Sequence, residues 1–242
     1  MRQLPGLCGA CAIVLCLPGA AMAQDAAAEK VAFKLTPSYY LTAGSGHAWD
    51  LNLRGSRGAH TAWLGLYRDS FAFQQARTGY EYRSDFGWAR SVLSLQAAAG
   101  GFRGWSVSAE IGQDNYAIVG WGRTNLRNYY NLNFDPNDAI TLGLGTRALP
   151  KTELSVFHIW DDRLSTQQRV THAVARYKPT DAERWTADLS SKRGLSGSGS
   201  MVSGYALSVT YDFGDYFARL AKDQYVNFSD STQTRVSLGM RF

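Results

Sequence analysis

Cysteine is missing from almost the whole chain. Cys8, Cys11 and Cys16 are the three present, and all fall within the first 23 residues. A disulfide framework and a thiolate metal site are therefore excluded for the remainder. Past that leader no run reaches the roughly 18 apolar residues of a membrane-spanning helix. Proline is scarce, at 6 residues of 242. Clean i, i+3, i+4 apolar stripes are missing as well, so long amphipathic helices are not expected. Charge of one sign is nowhere concentrated. The formal net charge is +5 with Arg2 included, so about +4 remains beyond the leader, spread thinly. A nucleic-acid partner or a polybasic membrane patch would need a cluster. Histidine is limited to His47, His60, His158 and His172. None belongs to an H-E-x-x-H motif, and no G-x-S-x-G is present. No cofactor or metal is expected.

The leader itself is legible. Arg2 precedes an apolar stretch from Leu7 to Leu17, and Ala21-Met22-Ala23 follows. That is the layout of a secretory signal with cleavage before Gln24. The apolar stretch is too short for a spanning helix, which needs about 20 residues. The bulky Ile13-Val14-Leu15 before Cys16 is unlike a lipidation site. The expected organisation is a signal peptide over residues 1–23 and a single domain over residues 24–242.

Aromatic residues and glycine are plentiful, at 13% and 24 residues. The dominant pattern is period-two alternation. Val236, Leu238, Met240 and Phe242 alternate with Arg235, Ser237, Gly239 and Arg241. Tyr205, Leu207, Val209, Tyr211 and Phe213 repeat the rhythm against polar neighbours, as do Trp105, Val107, Ala109 and Ile111. Successive side chains of a strand point to opposite faces, so each run has one apolar and one polar side. Fifteen candidate strands can be drawn: 34–42, 47–55, 60–68, 74–83, 87–97, 103–112, 116–124, 128–134, 138–147, 152–161, 167–178, 183–193, 202–213, 216–225 and 232–242. Short clusters of Gly, Pro, Asn and Asp separate them and supply turn geometry. A soluble β-sandwich would bury the apolar faces between two sheets. Many successive hairpins, aromatics near strand ends and the terminal Phe242 favour a membrane barrel, whose apolar faces look outward. The expected fold is all-β, an antiparallel up-and-down transmembrane barrel. Single-chain bacterial barrels have even strand numbers. Residues 34–42 are the expected exclusion because Pro37 interrupts them, with 128–134 next. Fourteen strands are expected, with twelve as the alternative.

Catalytic chemistry is poorly represented. His158 and His172 fall on adjacent predicted strands and could approach each other. Asp135-Pro136-Asn137-Asp138 is rich in oxygen ligands, but a tight turn explains it as well as calcium does. The charged residues of the polar faces are more informative. Arg77, Glu81 and Arg83 share one parity, and Glu110, Arg147, Asp188 and Arg235 also lie opposite apolar positions. An Arg or Lys facing lipid at mid-membrane costs about 2–4 kcal/mol. These seven residues are therefore expected to line the interior or its rims. They would either pair across a closed interior or select permeating solutes.

The terminal segment from Thr234 to Phe242 resembles the last strand of Gram-negative outer-membrane proteins. That resemblance implies residence in the bacterial outer membrane, contact with its lipid and lipopolysaccharide, and assembly by machinery that reads Phe242. It also implies that the last strand finishes on the periplasmic side. The size and the Tyr80-Glu81-Tyr82-Arg83 strand resemble YaiO-type barrels, and the scale is similar to that of small monomeric porins for acidic oligosaccharides. Outer-membrane lipid A deacylases use a His-x-Ser pair, which is absent at every histidine here. The expected function is a small passive channel for polar or anionic solutes. The alternatives are a barrel enzyme or accessory protein acting on envelope lipid or polysaccharide, or a structural barrel with a filled lumen.

Overall fold

The computed structural model describes residues 30–44, 46–130 and 135–242. The predicted signal peptide lies outside the described residues. Fourteen strands follow one another: β1 (Ala32–Thr42), β2 (Gly46–Arg57), β3 (His60–Asp69), β4 (Gln74–Asp85), β5 (Ala89–Ala98), β6 (Phe102–Gly112), β7 (Asn115–Thr124), β8 (Ala139–Leu149), β9 (Thr152–Asp161), β10 (Arg169–Thr180), β11 (Glu183–Leu195), β12 (Met201–Phe213), β13 (Tyr216–Asp223) and β14 (Gln233–Arg241). Each pairs antiparallel with its sequence neighbours, and β1 pairs with β14 to close the barrel. Closure leaves no free edge, the condition for strands to cross a membrane.

The first run therefore belongs to the wall, whereas residues 128–130, the described part of the 128–134 run, do not. Pro37 is accommodated rather than excluded. The ladder from β1 to β14 lapses across Thr36 and Pro37, between the pairs Leu35–Met240 and Ser38–Ser237. The ladder to β2 continues through the Pro37–Leu51 pair. Proline has no N–H to give, and the wall forgoes pairing on one side only. β7 and β8 meet directly, from Asn115–Thr146 to Trp121–Ile140, so no strand fits between them. Residues 128–130 belong to their connection instead.

Burial follows the sequence alternation. Leu64, Leu144, Val156, Leu189, Leu220 and Leu238 stand exposed on the outside. An apolar outer belt of this kind is stable against lipid, not water. Aromatic rings ring the Phe242 end: Phe33 stacks on Phe242 at 5.7 Å, and Trp185 on Tyr211 at 4.3 Å. Near the far end Trp105 meets Trp121 edge-on at 4.9 Å. Inside, glycines make room for inward rings. A Cβ on Gly145 would strike the Tyr116 ring, and one on Gly239 would strike the Phe217 ring.

Candidate functional site

The interior is shaped by the connection between β7 and β8, which turns inward. Gln75 of β4 is its first anchor. The Gln75 amide donates to the Asn128 carbonyl at 3.0 Å, and its oxygen accepts from the Tyr130 N–H at 2.9 Å. The Tyr130 ring stacks on Tyr67 at 3.8 Å, while its hydroxyl accepts from Gln233 at 3.0 Å. Tyr129 stacks on Phe102 at 4.2 Å. Where the connection enters β8, Asp138 accepts from the Thr124 N–H at 3.1 Å and from Arg163 at 2.8 Å. The turn expected at Asp135-Pro136-Asn137-Asp138 thus belongs to this inward connection, and its carboxylates are held by protein donors.

His172 of β10 ties this connection to the wall. Its Nε2 lies 3.0 Å from Asp135 and its Nδ1 2.9 Å from Asp188, while Phe157 stacks on the ring at 4.7 Å. Both nitrogens are taken by carboxylates. The ring has none left to act as a base toward Ser190, its cross-strand partner. His158 does not approach it. His158 pairs across the strands with Leu142 and Thr171 on the outer face, whereas His172 pairs with Phe157 and Ser190 on the inner one.

Two cavities flank the inward connection. One, of about 390 Å³, lies toward the Phe242 end and is lined by Lys34, Arg54, Arg77, Glu81, Arg219 and Arg235, among others. The second, of about 500 Å³, lies toward the far end and includes Arg127, Asp135, Asp138 and Gln168. Tyr129 and Asn137 line both.

The seven charged residues singled out from the sequence fall into separate groups. Arg77 is buried and paired with Asp50. Glu81 takes Arg54 and Arg83 at 3.2 Å each, with the Arg83 side chain 60% exposed near the rim. Arg147 pairs with Glu110, reaches Glu153 at 3.2 Å, and sits 3.9 Å over the Tyr116 ring. Asp188 holds His172. Arg235 interacts with the Tyr40 hydroxyl. Most of this charge is locally compensated.

Lys34, Arg54 and Arg219 were missed by the sequence reading. Lys34 Nζ stands 4.1 Å over the Phe217 ring, and Arg219 donates to Thr210 Oγ1 at 3.0 Å. Neither forms an ion pair among the described residues, although both line the same cavity. Arg54 and Arg241 lie within Coulombic reach of Lys34, and Arg235 within reach of Arg219; Asp212 reaches both and Asp188 reaches Arg219, from positions already held by Arg184 and Arg241 and by His172. The signal was available: Lys34 shares its parity with Ser38 and Tyr40, and Arg219 alternates with Leu220. Discounting the first run concealed Lys34.

A closed antiparallel wall, apolar outside and charged within, is the architecture of porin-like outer-membrane barrels. Among solved structures, the Acinetobacter baumannii outer membrane protein Omp33 shares the fold: the TM-score is 0.54 at 9% identity, covering 88% of this chain and 98% of that one. The KdgM porin aligns with a TM-score of 0.49 at 9% identity, over 86% of this chain and 99% of that one. A variant of the Rh. blastica porin gives 0.48 at 9% identity, over 88% and 99%. No protein-family model matches the chain. No curated protein matches it in sequence.

Proposed function

We propose that the protein is a passive channel of the bacterial outer membrane that favours small anionic solutes. The observation that carries this reading is the pair Lys34 and Arg219. They share a cavity and bind no carboxylate directly among the described residues, because Asp212, within Coulombic reach of both, is already held by Arg184 and Arg241, while Arg77 is matched by Asp50. An uncompensated cation in a narrow, low-dielectric passage lowers the barrier for anions and raises it for cations. The inward connection narrows the interior, so the solutes are small. The leader is cleaved before Gln24, and the mature chain enters the membrane through machinery that recognises Phe242.

Planar-bilayer recording tests this. The unaltered protein gives stable unitary conductance with an anion-selective reversal potential in a salt gradient. Lys34→Gln with Arg219→Gln moves that potential toward cations. Absence of conductance overturns the channel reading. Conductance with selectivity unchanged by the double substitution overturns the anion preference alone.

A further inference from the structure

The outer wall carries a second charged feature that permeation does not use. At the far end of β9, β10 and β11 a depression of about 470 Å³ is lined by His158, Trp160, Gln168, Arg169, Arg193 and Met201, among others. The strand registers place its residues in rows. Arg169 stands directly opposite Arg193 on one side and Trp160 on the other, with Ser203 beyond Arg193. One row further from the far rim come His158, Thr171, Ser191 and Tyr205. The next row is Val156, Ala173, Leu189 and Leu207, the start of the apolar belt. The arginines therefore lie just outside the depth at which the wall turns apolar.

Like charges placed directly opposite on neighbouring strands repel. Arg169 and Arg193 are exposed and form no ion pair among the described residues. Asp161 also lines the depression but does not serve them. Asp161 accepts from the backbone N–H groups of Arg163, Leu164 and Thr166 at 2.9–3.0 Å, and from the Thr166 hydroxyl. It is committed to its own loop. The His158 ring lies beside Arg169, its Nδ1 2.8 Å from Thr171 Oγ1, and offers a neutral hydrogen-bonding edge rather than a third charge. Two adjacent guanidinium groups match the oxygen geometry of a phosphate. Trp160 and Met201 offer apolar contact beside them.

We infer that this depression is a binding site for a phosphate-bearing lipid headgroup of the leaflet at the far end of the barrel. The phosphate bridges Arg169 and Arg193 and removes their repulsion, and the acyl chains lie across the row of Val156, Ala173, Leu189 and Leu207 below. The inference rests on membrane residence, not on conduction.

Native mass spectrometry of the folded full chain in detergent tests it. Diphosphoryl lipid A is the probe, with its dephosphorylated form and inorganic phosphate as comparisons. The protein retains the phosphorylated lipid and not the dephosphorylated one. Arg169→Gln with Arg193→Gln weakens retention by about tenfold or more, as expected on losing charge-assisted hydrogen bonds. Arg57→Gln, at the opposite end, leaves it unchanged. Equal retention of both lipids overturns the site without recourse to any variant. Unchanged retention by a heat-modifiable, folded double variant overturns it too. Displacement by inorganic phosphate at equal concentration shows a free-anion site and rejects the lipid.

Discussion

Phe242 exchanges two backbone hydrogen bonds with Phe33, at 2.8 and 3.0 Å, and stacks its ring on the same residue. The two rings cover the outer side of the seam where β14 meets β1. Phe242 is thus placed to finish the closure, at the same residue for which an assembly role is proposed.

Its removal separates these roles. We expect deletion of Phe242 to lower folded, heat-modifiable protein in cells several-fold. Protein refolded in detergent should lose only about 1–3 kcal/mol, the scale of two hydrogen bonds. Gel mobility of unboiled membranes and denaturant titration measure the two. Normal assembly of the truncated chain would remove the assembly role.

The Asp50–Arg77 pair is nearly dry, with side chains 3% and 2% exposed. Asp50→Ala should cost about 3–5 kcal/mol, because it strands a buried guanidinium. Asp50→Leu combined with Arg77→Met should cost much less, since no charge is left unpaired. Unfolding curves of the single and double variants decide it. Equal losses would show that packing, not charge, dominates at this position.

Gly239 lies beneath the Phe217 ring, where any Cβ collides with it. Gly239→Val should therefore destabilise the barrel by about 1–3 kcal/mol, the usual cost of overpacking. Adding Phe217→Ala should recover part of that loss. A thermal melt of the four proteins in this cycle provides the measurement. Strict additivity would mean the two sites do not touch.

Much of the wall was legible in the sequence. The pairs Leu238–Gly239 and Leu220–Arg219 declare their faces by parity alone, because a strand sends neighbours to opposite sides. What misled was local chemistry. Pro37 looked like a strand breaker, yet an antiparallel strand can lose a ladder on one side and keep the other. Tyr129 and Tyr130 looked like wall residues, yet their rings stack on Phe102 and Tyr67 from within. Alternation cannot distinguish an aromatic facing lipid from one lodged in the interior.

By itself the sequence determined which faces are apolar, where the turns fall and hence that an all-β barrel closes. These depend on side-chain direction and turn geometry, both set within a few residues. Tertiary structure alone decided which charges are matched. Arg77 finds Asp50 across β3, whereas Lys34 and Arg219 form no direct ion pair among the described residues and feel Asp212 only at a distance. It likewise decided that Arg169 faces Arg193 on the outer wall. Such pairings depend on register between strands, and a shift by one residue would send every side chain to the other face.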